Sequence, residues 1–468
     1  MQPPSTAPRL ARIKHEIQTL FQLGWPILIT QLSGVGLGVV DTIMSGHAGS
    51  AQLAAVGIGS GIWIPVFIFL IGLLYAVVPN VAQLWGAGRE EQIPSVISSG
   101  IILALVICVP LFFLLRNTES LLQAMSLSDQ LVTLTDQYLH GLSWGMPASG
   151  LFFVLRYYIE GMGKTRPAMV IGLAGLLLNI PLNYGLIYGE FGFPELGGPG
   201  CGYASAIVQW LSLIFILLAV NGHGLLKRLS PCNPSAAASL STIWNLVRLG
   251  LPMGISRFAE TSVFFFLALF IGHLGPVAVA GHSVALNFAG LLFMVPLSIS
   301  MAITVRSGHM IGRGDFARAR FICLCGLGLA LMFACVHGSL SYLFREQIVL
   351  LYSSEPSVIL LASQLLVFAA MFQFADAIQV SAIGALHAYK DTRIPMYITL
   401  ISYLGIGFPI GYMLGLTDLF GLRRGPAGMW MGLVVALTVA AVLLLIRLRK
   451  ITGEPPKQVD WHDAKQAS

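Results

Sequence analysis

The chain has 468 residues, of which 56% are hydrophobic and only 10% charged, with a mean hydropathy of +0.81. Water-soluble domains carry about 25% charged residues, so this composition excludes one and places the chain in a lipid bilayer. A net charge of +6 would by number suit a nucleic-acid binder, but no nucleic acid is expected, because the charge is distributed as it is around membrane spans.

Residues 1–19 are Pro-rich and then basic, with Arg9, Arg12 and Lys14. They lack a short apolar stretch followed by a small-residue cleavage site, so no cleaved signal peptide is expected. From Leu20 onward, apolar stretches of about 20 residues recur, the length a spanning helix needs, without the alternation of outer-membrane barrel strands. The pattern predicts an all-α integral membrane protein with twelve transmembrane helices. In the first half they cover 20–45, 53–81, 93–115, 131–158, 167–188 and 198–220; in the second, 243–272, 277–307, 319–344, 358–388, 394–416 and 426–448. The expected organisation is a segment 1–19, a six-helix lobe 20–220, a polar Ser/Pro-containing linker 221–242, a second six-helix lobe 243–448 and a tail 449–468. Of the 26 basic residues, only Arg116, Arg345, Arg423 and Arg424 fall on the face opposite the termini, and Arg156 and Arg257 lie inside spans. That asymmetry predicts a cytoplasmic-membrane protein with both termini, the linker and the tail in the cytoplasm.

The halves repeat. Leu23-Gly-Trp-Pro26 recurs as Leu249-Gly-Leu-Pro252 and Gly46-His47 as Gly272-His273, both shifted by 226 residues; Thr165-Arg166 recurs as Thr392-Arg393, shifted by 227. Each half has an even number of spans, so the two are parallel repeats related by an axis along the membrane normal. In such proteins the substrate site tends to lie near the midplane between the halves.

In the first span, Gln31, Gly34, Gly38, Asp41 and Ser45 fall at i, i+3, i+7, i+10 and i+14, one polar, small-residue stripe on a helix. A carboxylate at bilayer depth costs several kcal/mol unless neutralised, paired or solvated, so Asp41 reads as facing a bundle interior or watery cavity. A static pairing with a basic side chain is the competing reading. The glycines let a neighbouring helix or a ligand approach. Asn179 and Asn183 stand one turn apart on the fifth span, with Pro181 between them. With Asp41 they offer the carboxylate and amide oxygens that a hard cation such as sodium prefers, while paired asparagines alone also serve as interhelical glue. In the second half the deep acids are Glu260 and Asp376, with Gln373 one turn before Asp376 and Phe372 beside it. Burial raises a carboxyl pKa and a nearby cation lowers it, so such a group can trade a proton for another positive ion. Arg257, three residues before Glu260, offers a static ion pair instead.

Other motifs do not assemble. Gly163-Lys164-Thr165 lacks the earlier glycine of a phosphate loop, and His15-Glu16 lacks the second histidine of a zinc protease. Cys108, Cys201, Cys232, Cys323, Cys325 and Cys335 are scattered, in neither metal nor disulfide spacing. With no nucleophile, metal cluster or paired catalytic acids at workable spacing, no enzyme is expected, and no cofactor beyond a coupling ion.

The order of motifs resembles the multidrug and toxic compound extrusion (MATE) transporters, and within them the NorM-like bacterial branch. The likeness is carried by Val40-Asp41-Thr42, Trp85-Gly-Ala-Gly88, Glu160-Gly-Met-Gly-Lys-Thr-Arg-Pro167, Asn179-Ile-Pro-Leu-Asn183 and Gly200-Cys-Gly-Tyr-Ala204. It covers nearly the whole chain except about twenty residues at each end. The resemblance implies secondary efflux of hydrophobic, usually cationic drugs and dyes, driven by entry of Na+ or H+, through two lobes that enclose a V-shaped cavity and act as a monomer in the bilayer. It assigns ion coupling to Asp41, Glu260 and Asp376, with Asn179, Asn183, Gln373, Phe372 and Asn287 as supporting contacts. Na+ is expected at Asp41, Asn179 and Asn183 or at Glu260 and Asp376. Phe372 stands where some NorM-like members carry a tyrosine, and Arg257 adjoins Glu260; both departures weigh against sodium in the second lobe and leave protons. A flippase for lipid-linked precursors is the alternative on a related fold, but it would want a basic cavity for phosphate, and the deep charges here are mainly acidic.

Overall fold

In a bilayer the backbone has no water to bond, so each apolar run closes its N–H and C=O groups within a helix. The computed structural model describes residues 8–125, 127–221, 237–418 and 424–453, and among them it is helical with no strand. The first half contains α1 (Arg9–Ala48), α2 (Ser50–Leu74), α3 (Val77–Gly86), α4 (Ile93–Leu115), the short α5 (Glu119–Ala124), α6 (Asp129–Ser143), α7 (Met146–Gly161), α8 (Arg166–Tyr188) and α9 (Gly200–Asn221). The second contains α10 (Leu240–Gly272), α11 (Pro276–Gly312), α12 (Phe316–Leu343), the short α13 (Arg345–Leu350), α14 (Pro356–Ala388), α15 (Arg393–Leu400), α16 (Phe408–Leu416) and α17 (Pro426–Gly453). A run of wide π-helical turns, Ile401–Gly407, joins α15 to α16.

Among the described residues, 11 helical stretches are long and apolar enough to cross a membrane. The remaining crossing, read from sequence as one span 131–158, is α6 and α7 in series, broken at Trp144 and Gly145. Most of the linker, the tail and the first seven residues lie outside the described residues, as do Cys232 and Arg423.

The repeat extends to the backbone. Gly49 and Gly275, the residues that start α2 and α11, both have positive φ, +135° and +101°. Where the second half has a side chain at such a position the strain remains: Gly163 turns at φ +82°, and its counterpart Lys390 sits at +58°, a left-handed conformation that costs an L-residue roughly 1–2 kcal/mol.

The two six-helix bundles meet chiefly near the face that carries the basic residues. Leu20, near the start of α1, packs in the same apolar cluster as Ala302, Ile303, Ala319 and Cys323 of the second bundle. Glu16, one turn earlier, is ion-paired to Arg306 of α11 at 3.0 Å and to Arg318 of α12 at 2.7 Å. Gln83 Nε2 donates to the Ala388 carbonyl, and His309 Nε2 to the Gly161 carbonyl, each at 2.8 Å. The backbones of α2 and α10 also touch: a Cβ on Gly72 would lie 2.9 Å from Gly254 Cα, so no side chain fits there. Farther along the stripe, nothing lies within 4 Å of where a Cβ on Gly34 or Gly38 would stand, nor on Gly290 of α11. Among the described residues no neighbouring helix comes close to the stripe glycines, which face open space.

Candidate functional site

In the first bundle α1, α8 and α9 converge. Helix α8 runs unbroken through Pro181, and its one-turn spacing points Asn179 and Asn183 at α1, both fully buried. Asn183 Nδ2 donates to Asp41 Oδ1 at 2.6 Å and to Asn179 Oδ1 at 2.9 Å. Ser205 of α9 donates from Oγ to Asp41 Oδ2 at 3.1 Å, and the Cys201 thiol to the Asp41 carbonyl at 3.6 Å. A carboxylate only accepts, so these contacts fix which way the Asn183 amide faces.

Asp41 is 7% exposed, and among the described residues no Lys, Arg or His pairs with it. Among the described residues the static-pair reading finds no partner. Two polar atoms beside it, Asn179 Nδ2 and Asn183 Oδ1, are buried without a hydrogen-bond partner among the described residues. A native interior seldom leaves such atoms idle, and each costs about 1–3 kcal/mol. The free oxygen of Asn183 and the carboxylate of Asp41 together suit a small cation; a protonated Asp41 would equally remove the buried charge.

Gln31 of the stripe is engaged elsewhere. Its Oε1 accepts from Arg156 at 3.0 Å, and Arg156 is ion-paired with Glu160 at 2.7 Å, both deeply buried on α7.

In the second bundle the acids are arranged differently. Glu260 is ion-paired to Arg257 at 3.3 Å, the alternative the spacing offered, with both side chains partly exposed. Its other oxygen lies 3.5 Å from the Tyr403 hydroxyl, which donates to Gln379 Oε1 at 3.1 Å. Tyr403 is fully buried and projects from the π-helical turns, whose extra residue per turn re-aims side chains inward and recurs at functional sites. Asp376 is 5% exposed and has no hydrogen-bond or ion-pair partner among the described residues. Gln373, one turn away, is 7% exposed, and its Nε2 is also unpartnered. Phe372, one turn before Asp376, packs on Trp430, ring centroids 5.7 Å apart, while Trp430 Nε1 donates to His282 Nδ1 at 3.1 Å. Asn287 is exposed, and its amide bonds the Ser283 carbonyl of its own helix at 2.9 Å; it is joined to none of the acids.

The structure thus brings Asp41, Asn179 and Asn183 into one cluster, sets Gln373 beside Asp376, packs Phe372 on Trp430 and leaves Asn287 bonded to its own helix. Ser205, Tyr403 and Gln379 were not singled out from the sequence. Ser205 directly follows the Gly200-Cys-Gly-Tyr-Ala204 motif, which was the available signal; Tyr403 and Gln379 lie in apolar stretches with none.

Residues 26–185 and 252–413 both match the MatE family model, one match in each half. Multidrug resistance protein PmpM of Pseudomonas aeruginosa is 47% identical over 441 residues, covering 94% of this chain and 92% of that protein. Multidrug resistance protein NorM of Photobacterium profundum is 43% identical over 438 residues, covering 94% and 96%. Among solved structures, an outward-facing conformation of a multidrug resistance MATE family transporter matches with TM-score 0.83 at 21% identity, covering 94% of this chain and 97% of that one. The Vibrio cholerae MATE transporter VcmN in its bent form matches at 0.81 and 19%, covering 95% and 98%. At that identity the structures speak for the fold alone.

Proposed function

Because this chain belongs to the MatE family, as a NorM-like bacterial multidrug transporter, we propose that it is an antiporter exchanging inward Na+ or H+ for outward hydrophobic organic cations. The observation that carries this reading is Asp41: a buried acid with neutral hydrogen-bond donors, no basic partner among the described residues and an idle amide oxygen beside it. An uncompensated carboxylate at that depth is unfavourable, so the group must hold a proton or a cation, and whichever it holds can be exchanged. Asp376, equally buried and without an ion-pair partner among the described residues, takes the same part in the second bundle. Glu260 shares its charge with Arg257 and assists by setting the field around Asp376. Asn179, Asn183 and Gln373 orient the ion, and the open wall at Gly34, Gly38 and Gly290 gives a flat hydrophobic drug room to slide.

The face bearing the basic residues is assigned to the cytoplasm, which makes this conformation closed inward. A ligand moves the balance between the inward-open and outward-open forms only through its differential affinity for them. Ion and drug therefore compete, and the ion bound from outside displaces the drug carried out. Two amides, a serine and a carboxylate offer no basic group for a phosphate, which favours cations over lipid-linked phosphates as cargo.

The test is dye transport in proteoliposomes under a sodium gradient and a pH gradient imposed separately. Wild-type protein should concentrate a cationic dye under one of them, and Asp41→Asn and Asp376→Asn should each lose that response. Wild-type rates in both variants would refute the assignment.

A further inference from the structure

Asp376 lines a small, partly open hollow between α11, α12 and α14, together with Gln373, His337, Phe293, Pro296 and Ala334. It is polar on one side and has room for about one water molecule. His337 belongs to α12 and is half-buried, its ring against Phe333 at 5.9 Å. Helices α12 and α14 run antiparallel, and their register is set where a Cβ on Gly338 would stand 3.3 Å from the Ala370 carbonyl oxygen. Asp376 is six residues deeper on α14, about 9 Å at 1.5 Å per residue. His337 therefore lies on the side of the hollow toward the face opposite the basic residues. Helical side chains lean toward their own N-terminus, so the imidazole leans down the hollow toward Asp376.

We infer that His337 is the outer station of a proton path to Asp376, which makes the proton the coupling ion of the second bundle. An imidazole nitrogen takes a proton from water at the far face. The ring gives up a proton to water in the hollow, and the Asp376 carboxylate accepts one from that water. Imidazole returns to its neutral form and the acid becomes neutral. The buried, unpartnered Gln373 Nε2, on the same wall, donates to that water and holds it in line.

The surroundings leave this route one acid. From α11 the hollow receives apolar side chains, and from α14 only Gln373 and Asp376 are polar. Helix α1 meets α12 at its basic end, where Glu16 holds Arg318. Helix α13 brings Arg345 and Glu346 to the far end, Arg345 lying over Tyr342. Arg257 and Glu260 stand on α10, paired with each other. An imidazole can take up a proton on one ring nitrogen and release one from the other, which suits it to pass protons on.

The inference rests on Asp376 being a coupling acid, and the experiment separates the two. Exchange of ethidium is measured in proteoliposomes under an imposed pH gradient for wild type, His337→Gln, His337→Ala and Asp376→Asn. Both His337 variants should slow pH-driven exchange about tenfold, within the usual reach of a proton-transfer group, while equilibrium ethidium binding by purified protein is unchanged. Imidazole added on the outer side should restore the rate of His337→Ala, which a purely structural role would not allow. Wild-type rates in both variants between about pH 5 and 8, or a loss that imidazole does not mend, would overturn the path. If Asp376→Asn keeps its pH-driven transport, the reading of Asp376 falls; if it loses transport and the His337 variants do not, only the path falls.

Discussion

Asn183 donates a hydrogen bond of 2.6 Å from Nδ2 to Asp41 Oδ1, joining residues 142 positions apart across the α1–α8 contact. The same amide reaches Asn179, so one side chain holds the acid and its neighbour in fixed relation.

Removing that amide isolates the acid. Asn183→Ala should leave Asp41 Oδ1 without its shortest bond and destabilise the protein by about 1–3 kcal/mol, read as a lowered Tm in detergent. Asp41→Asn should by contrast be tolerated in Tm, because it removes the buried charge, yet cut ion-driven dye efflux by about tenfold or more. Equal loss of stability in both would mean that the cluster is glue.

The ion pair of Arg257 and Glu260 is partly exposed, 28% and 12%, so its worth is modest. A double-mutant cycle with Arg257→Gln and Glu260→Gln should give a coupling of about 1 kcal/mol in unfolding. Efflux should suffer more from Glu260→Gln alone than from the double variant, because the single change leaves Arg257 unbalanced beside Asp376. Full activity in the single variant would remove Glu260 from the coupling machinery.

Glu16 ties α1 to Arg306 and Arg318 at 2% exposure of its own side chain. Glu16→Gln should weaken closure of that face by roughly 1–2 kcal/mol, a shift of about 5- to 30-fold between the two open forms. Thiol labelling of a cysteine placed at Ser298, which lies against Gly24 in the closed contact, should speed up accordingly; an unchanged rate would mean that the pair does not hold the gate.

The helix contact at Gly72 leaves no room for a side chain. Gly72→Leu should separate α2 from α10 at a cost of about 1–3 kcal/mol and favour the form open on the basic face. The same labelling assay reads this, and Gly34→Ala, which meets open space, serves as the control with no expected change.

Much of the site was legible because its signals are local. A carboxylate within twenty apolar residues, and two asparagines one turn apart, announce themselves by the cost of putting them in lipid. Arg257 and Glu260 were likewise foreseeable, three residues apart on one helix. Ser205, Tyr403 and His337 were not, because each is an ordinary residue on its own helix and acquires a partner only from how distant helices align. Asn287 shows the converse: a polar residue deep in a span satisfies itself on the carbonyl one turn back, a choice invisible in sequence.

By itself the sequence determined that this chain spans a bilayer in twelve helices, that its halves are repeats, and which acids lie too deep to stay charged without help, since hydropathy and helical spacing act over a few turns. Only the tertiary structure decided which acid is paired and which is left bare: Glu260 facing Arg257 and Tyr403, Asp41 held by neutral amide and hydroxyl donors, Asp376 opening on a hollow shared with His337. The physical reason is that desolvation and pairing depend on what neighbouring helices bring to the same depth, and helix register is a property of the packed whole.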